Sequence, residues 1–295
     1  MQWRGRRGSS NIEDRRRSGG GMGRGGGGMR IGRGAGGLGL GGVVLVLAVG
    51  YFFGIDVSPI LNGGGGGGTY SSAPAQVTQA DEDAAQFVSV TLADTEEVWA
   101  DIFPDQVGRA YDPATLVLFK NVTQSPCGGA SGATGPFYCP ADEKAYLDTA
   151  FFTTLSDRLG AKGDFAAAYV VAHEIAHHVQ QEIGILGQVN EARRSASPAE
   201  SNALSVRIEL QADCFAGIWA RTAEAKFGSL DPGDVEEAMN AAREIGDDTL
   251  AREAGRVPSP HTFTHGTSEQ RQRWFATGYR TGQMQSCDTF AARQL

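Results

Sequence analysis

Residues 164–183 read DFAAAYVVAHEIAHHVQQEI, and this stretch decides both the fold class and the chemistry. Phe165, Tyr169, Ala172, Ala176, Val179 and Ile183 recur at three- and four-residue intervals, the spacing of one apolar helical stripe. Asp164 is placed to cap the start of this helix, and Gly184 ends it. His173 and His177 stand four apart just beside the stripe. They therefore project from neighbouring turns on one face, where both imidazoles can reach one metal ion. Glu174 lies about 60° around the helix from His177, at about 100° per residue, so it can face an activated water without ligating the metal. Neutral imidazoles leave a zinc ion Lewis-acidic enough to bring water towards a neutral pKa, and a carboxylate so placed takes the proton. His178 points about 100° away from His177 and reads as a structural or surface residue.

A catalytic zinc needs a third protein ligand and an open position. A metzincin would have Gly and His where this chain has Gln180 and Ile183, so that pattern fails. Downstream, residues 208–217 read IELQADCFAG within a long expected helix whose apolar stripe carries Ile208, Ala212, Phe215 and Trp219. Glu209 and Asp213 stand four apart, with the same angular offset from their stripe as the histidines have from theirs. Two packed helices can thus present His/His to Glu/Asp, with Glu209 as the third ligand and Asp213 orienting a ligand histidine through its other ring nitrogen.

Outside these helices the chain is uneven. Of its 42 glycines, most of the excess precedes Thr69, in runs that cannot bury apolar surface. Nine arginines (4, 6, 7, 15, 16, 17, 24, 30 and 33) oppose only Glu13 and Asp14 before Gly37, so this leader carries +7 and the remainder −15 of the formal −8. The uncharged apolar stretch from Leu38 to Ile55 follows at once. Eighteen helical residues span about 27 Å, close to the thickness of a bilayer core. The expected organisation is a disordered basic tail (1–37), one transmembrane anchor (38–57), a Gly/Ser-rich linker (58–80) and a folded domain (81–295). By the positive-inside rule the Arg-rich end stays cytoplasmic and the chain from Asp56 onward is exported. The adjacent anchor and the acidic remainder argue against a nucleic-acid partner.

Within the domain, a helix is expected over 83–103, stopped by Pro104, with strands at 115–120 and 145–148. Further helices are expected over 150–159, 232–245 and 268–279, and a polar, mobile loop from Gly184 to Pro198. The domain is therefore mainly α, with a small strand component. Four cysteines allow three pairings. Cys127 and Cys139 bracket a Gly-rich loop whose closure a bridge would assist, which leaves Cys214 and Cys287 as candidates for a second bridge.

With these residues in view, the chain resembles the bacterial putative neutral zinc metallopeptidases. The resemblance runs through MQWRGRRGSSNIEDRR, the apolar stretch, GPFYCPADEKAYLD, GDFAAAYVVAHEIAHHVQ, IELQADCFAGIWA and FTHGTSEQRQRWF. The helical HExxH followed by ExxxD is also similar to the gluzincin arrangement. It implies a zincin-like domain, Zn2+ held by His173, His177 and Glu209, Asp213 behind a histidine, and hydrolysis of peptide bonds with Glu174 as general base. Thr267 to Gln270 matches a capping box, so a helix is expected just after His265. Its free amides favour an anion nearby, and His265 is expected to stabilise the oxyanion as a histidine does in gluzincins. The competing reading is a non-catalytic, membrane-anchored zinc-containing binding protein, against which the intact Glu174 argues. Substrate identity and oligomeric state are not legible.

Overall fold

The computed structural model describes residues 1–17, 76–131, 135–152, 155 and 163–295. The expected anchor (38–57), most of the linker, the second half of the leader and most of the helix expected over 150–159 lie outside them. Among the described residues no helix is long and apolar enough to cross a membrane.

The elements in chain order are β1 (Ile12–Asp14), α1 (Gln79–Gln106), β2 (Thr115–Phe119), β3 (Val122–Ser125), β4 (Gly128–Ser131), β5 (Phe137–Cys139), β6 (Lys144–Asp148), α2 (Asp164–Glu182), α3 (Ile185–Ser195), α4 (Pro198–Phe227), α5 (Asp234–Glu244), α6 (Asp247–Glu253) and α7 (Ser268–Thr281). Single 3-10 turns cover Pro260–Thr262 and Met284–Cys287. The described chain is mainly helical. A four-stranded sheet has the order β1-β2-β6-β5, with β1, β2 and β6 parallel and β5 antiparallel at one edge; β3 and β4 form a separate hairpin.

Helix α2 is the centre of the core. Phe165, Tyr169, Ile175, Ala176 and Val179 are wholly buried, and the helix packs against α1, α4 and α5. Each large side chain so buried contributes roughly 1.5–3 kcal/mol over an exposed one. Helix α4 begins at a capping box in which Ser197 accepts from the Glu200 amide while the Glu200 carboxylate accepts from Ser197, with Pro198 in the first turn. It ends at Gly228, whose φ of 56° is the left-handed conformation that glycine adopts freely. Helices α4 and α7 approach unusually closely at two glycines. A Cβ on Gly278 would lie 1.8 Å from the Cys214 carbonyl oxygen, and one on Gly217 would lie 2.1 Å from that of Phe275. Only hydrogen fits there.

Residues 1–17 depart most from the sequence reading, which made them part of a disordered tail. Strand β1 pairs with β2 in register from Ile12 opposite Leu116, and Trp3 is buried edge-on against Phe87. Four of the nine arginines that made the leader basic meet acidic partners on α1. Arg6 holds Asp94 in a two-bond fork at 2.7 and 2.6 Å, Arg7 pairs with Glu97, and Arg16 and Arg17 both reach Glu82. Much of the charge step behind the expected membrane orientation is therefore used in ion pairs within the domain. A single crossing between Arg17 and Gln79 would put β1 and β2 on opposite sides of the membrane. In the structure the two strands share one sheet.

Smaller corrections have local causes. Helix α1 runs through Pro104 to Gln106, because proline in the last turn forfeits only one hydrogen bond; the Val107 and Gly108 amides both close on the Phe103 carbonyl. The expected mobile loop from Gly184 to Pro198 contains α3. Its Leu186 and Val189 bury against Ile208 of α4, a packing that the polar composition of this stretch conceals. Helix α6, the hairpin and strands β1 and β5 were not expected; these strands are only three residues long, too short to show alternation.

Candidate metal centre

Helices α2 and α4 bring the HExxH and ExxxD faces together. His173 Nε2 lies 3.1 Å from Glu209 Oε2, and His177 Nε2 lies 3.6 Å from Glu209 Oε1. The imidazole centroids are 4.8 Å apart with the rings nearly perpendicular. One ligand atom from each of His173, His177 and Glu209 falls within 4.8 Å of the other two. Tetrahedral ligands at about 2.0–2.2 Å from a zinc ion stand roughly 3.3–3.5 Å from one another, so these separations need little adjustment to close on one ion. Two imidazoles with one carboxylate make the donor set of catalytic zinc sites that keep a position open. The residues present fit zinc.

The same groups shift one another's ionisation. Burial works against the charged form of Glu209, yet His177 and His173 hold its carboxyl well below the usual range. Burial likewise works against a charged His173, but Asp213 and Glu209 push its pKa up to about 10. Glu174 is 9% exposed, and burial raises its pKa against the pull of His177 and His173. It shares helix α2 with both histidines and is not one of the clustered ligands.

Each histidine is held from behind. His173 Nδ1 lies 2.9 Å from Asp213 Oδ1, which fixes Nδ1 as the protonated nitrogen and turns Nε2 towards Glu209. Asp213 is fully buried. Arg271 of α7 grips it through Nε and Nη2 at 2.9 Å each, and the Tyr169 hydroxyl donates to Oδ1 at 2.6 Å. Burial disfavours the ionised carboxyl, but Arg271 and His173 hold its pKa below the ordinary value. Behind His177, Nδ1 lies 2.9 Å from Gln180 Oε1. Tyr169 and Arg271 escaped the sequence reading. Tyr169 carried a signal, since it stands four residues before His173 on the same face, but it reads equally well as core. Arg271 carried none.

His265 is partly exposed, with Nδ1 3.3 Å from Asp247 Oδ1 and 3.1 Å from Thr264 Oγ. It is close enough to Glu209 to help hold that carboxyl down. The capping box from Thr267 to Gln270 is present. The anion expected at the start of this helix is, however, supplied by the protein: Asp248 Oδ1 accepts from the Ser268 amide at 2.7 Å, and just before the helix Asp247 Oδ2 accepts from the amides of Thr264, His265 and Gly266 at 2.7–3.0 Å. Asp247 therefore sets the loop that presents His265. His178 is buried away from the cage, between the Tyr138 hydroxyl and the Asp112 carbonyl, and His261 lies exposed on its 3-10 turn. Cys127 is bridged to Cys139 and Cys214 to Cys287.

Fold and site together define a mainly helical protein with a two-histidine, one-glutamate donor cage between two buried helices. The chain belongs to the putative neutral zinc metallopeptidase family, whose sequence profile matches residues 1–290. It is 45% identical to the uncharacterized protein YpfJ of Escherichia coli K12 over 294 residues, covering 98% of this chain and 99% of that one. It is 39% identical over 227 residues to an uncharacterized protein of Mycobacterium tuberculosis, covering 72% and 74% of the two chains. No solved structure matches it.

Proposed function

We propose that this protein is a zincin-like zinc metallopeptidase that hydrolyses peptide bonds in an exported compartment. The observation that carries the reading is the cage itself: His173, His177 and Glu209 converge on one point, and the buried Glu174 stands beside it without joining it. When bound, zinc supplies Lewis acidity that makes water nucleophilic near neutral pH. His173, His177 and Glu209 would hold the ion, while Asp213 keeps the His173 imidazole in the tautomer that offers Nε2. Glu174 takes the proton from the attacking water and passes it to the leaving amine. His265, oriented by Asp247, stabilises negative charge on the substrate's carbonyl oxygen. The two disulfides favour an oxidising location. The apolar stretch at 38–57 remains a candidate for membrane association, with residues 1–17 on the same side as the domain.

The decisive test joins metal analysis to turnover. Purified full-length protein should carry about one zinc per chain and cleave unstructured peptides in a manner abolished by a chelator and restored by zinc. Glu174→Gln should keep the zinc and lose the cleavage, because an amide cannot accept the proton. Zinc binding without cleavage of any peptide library by the wild type would favour a binding protein instead.

A further inference from the structure

Gln180 occupies the position where the metzincin pattern fails, and the zinc chemistry alone gives it no role. It is wholly buried, and every hydrogen-bonding group of its amide is used. Nε2 donates to the Ile208 carbonyl at 2.8 Å and to Gln211 Oε1 at 3.0 Å, and Oε1 faces His177 Nδ1 at 2.9 Å. Gln211, itself 3% exposed, donates from Nε2 to the Cys287 carbonyl at 3.1 Å. Cys287 is cross-linked to Cys214, which lies one turn beyond Gln211 on α4.

The direction of each bond follows from donor and acceptor chemistry. The carbonyls of Ile208 and Cys287 can only accept, so each glutamine must turn its NH2 towards its carbonyl. That leaves Gln211 Oε1 facing Gln180 Nε2, and Gln180 Oε1 facing His177. His177 Nδ1 must then carry the proton, and Nε2 is left with its lone pair on the side of Glu209. The relay thus selects the ligating tautomer of His177, as Asp213 does for His173, but with two neutral amides in place of an ion pair. It also ties α2 to α4 at the residue next to Glu209. One end is in the metal cage and the other is the backbone of a disulfide-bonded cysteine.

We propose that Gln180 is the positioning residue of His177, and that Gln211 carries to it the constraint of the Cys214–Cys287 cross-link, so that closing this disulfide, by exchange with an external disulfide that takes up the two electrons and two protons of the thiols, completes the metal site. A chain still reduced would hold zinc more weakly than the same chain after oxidation. The segment beyond Cys287 has a second tether, Thr289 Oγ to the Arg207 carbonyl at 2.7 Å. Opening the bridge should therefore weaken the site rather than abolish it.

The proposal rests on His177 being a ligand, and its test separates the two ideas. Zn2+ affinity of the purified full-length chain is measured by competition with a chromophoric chelator, and the visible spectrum of the Co2+-loaded protein reports ligand geometry. If His177→Ala binds Zn2+ like wild type, the ligand reading fails and the relay with it. If His177→Ala loses binding, the relay is decided by the other variants. Gln180→Leu should weaken Zn2+ binding by about 10- to 100-fold and change the Co2+ spectrum. Gln211→Met, which keeps both disulfides, should weaken it by several-fold. Replacing both cysteines (Cys214→Ser with Cys287→Ser) should weaken binding about as much as Gln211→Met, and the combination should be no worse than either, because both act through one chain of contacts. Wild-type affinity in Gln211→Met, or losses that multiply in the combination, overturns the proposal. Gln211→Met decides the matter alone if the chain without these cysteines does not fold.

Discussion

The carboxylate of Asp213 lies 2.9 Å from Nδ1 of His173, on the far side of the ring from Glu209. Glu209 and Asp213 sit one turn apart on α4, yet only Glu209 is among the ligand atoms that cluster with those of His173 and His177. Asp213 instead joins the histidine to the buried Arg271.

Asp213→Asn should therefore act on both metal and fold. The amide cannot accept from His173, Tyr169 and Arg271 together, and it leaves the guanidinium buried without its counter-charge. Zinc affinity should fall about 10- to 100-fold, and stability by about 3–5 kcal/mol, as for other broken buried ion pairs. Chelator competition and denaturant titration read the two effects; an unchanged zinc affinity would show that His173 needs no charged partner at Nδ1.

His265→Ala should lower kcat and kcat/KM together by about a hundredfold while zinc content stays near one per chain, since the interaction is made mainly in the transition state. Asp247→Asn should show part of the same loss, because one carboxylate both orients the ring and organises three amides of its loop. Loss of zinc from His265→Ala would make His265 a ligand.

Acid should weaken the domain through Asp81. Its carboxylate caps α1 at Thr78 and also meets Lys120 and Thr149; burial opposes its ionisation, but these partners hold its pKa well below 3.8. A group with a depressed folded-state pKa contributes stability that is present above its unfolded value and lost as pH falls through the folded one. Denaturation midpoints should thus decline below about pH 4. Asp81→Asn should cost about 1–3 kcal/mol near neutrality and flatten that decline. Identical acid profiles in the two proteins would remove Asp81 from the account.

Packing at the α4–α7 crossing should be intolerant of a single methyl group. Gly278→Ala puts Cβ against the Cys214 carbonyl, a backbone atom that moves only with its helix, and should destabilise by about 1–3 kcal/mol or more. Gly187→Ala, in α3 with nothing within 4 Å, should be neutral or stabilising by up to about 1 kcal/mol. Urea midpoints of the pair give the comparison, and equal values would contradict the close approach.

Sidedness can be read with a membrane-impermeant thiol reagent on intact and lysed cells. Ser10 and Ala192 are both exposed. Ser10→Cys and Ala192→Cys should label under the same conditions, because β1 and β2 share a sheet. Labelling of Ala192→Cys alone in intact cells, with Ser10→Cys reactive only after lysis, would restore the opposite-sided arrangement.

Much of this protein is legible in the sequence because helix geometry is local. A period of 3.6 residues places His173 with His177, and Glu209 with Asp213, before any tertiary contact is known. Ser197 with Glu200 and Thr267 with Gln270 mark helix starts by chemistry confined to one turn. The tertiary structure alone decided what converges from far apart. Arg271 reaches Asp213 across 58 residues, Gln211 reaches the Cys287 carbonyl across 76, and Arg6 reaches Asp94 across 88. Such partners share no periodicity, and the burial that gives each contact its strength exists only once the helices have packed. The first 17 residues show the limit most plainly: their arginines read as a solvated tail, because the acidic face of α1 that neutralises them is brought near only by folding.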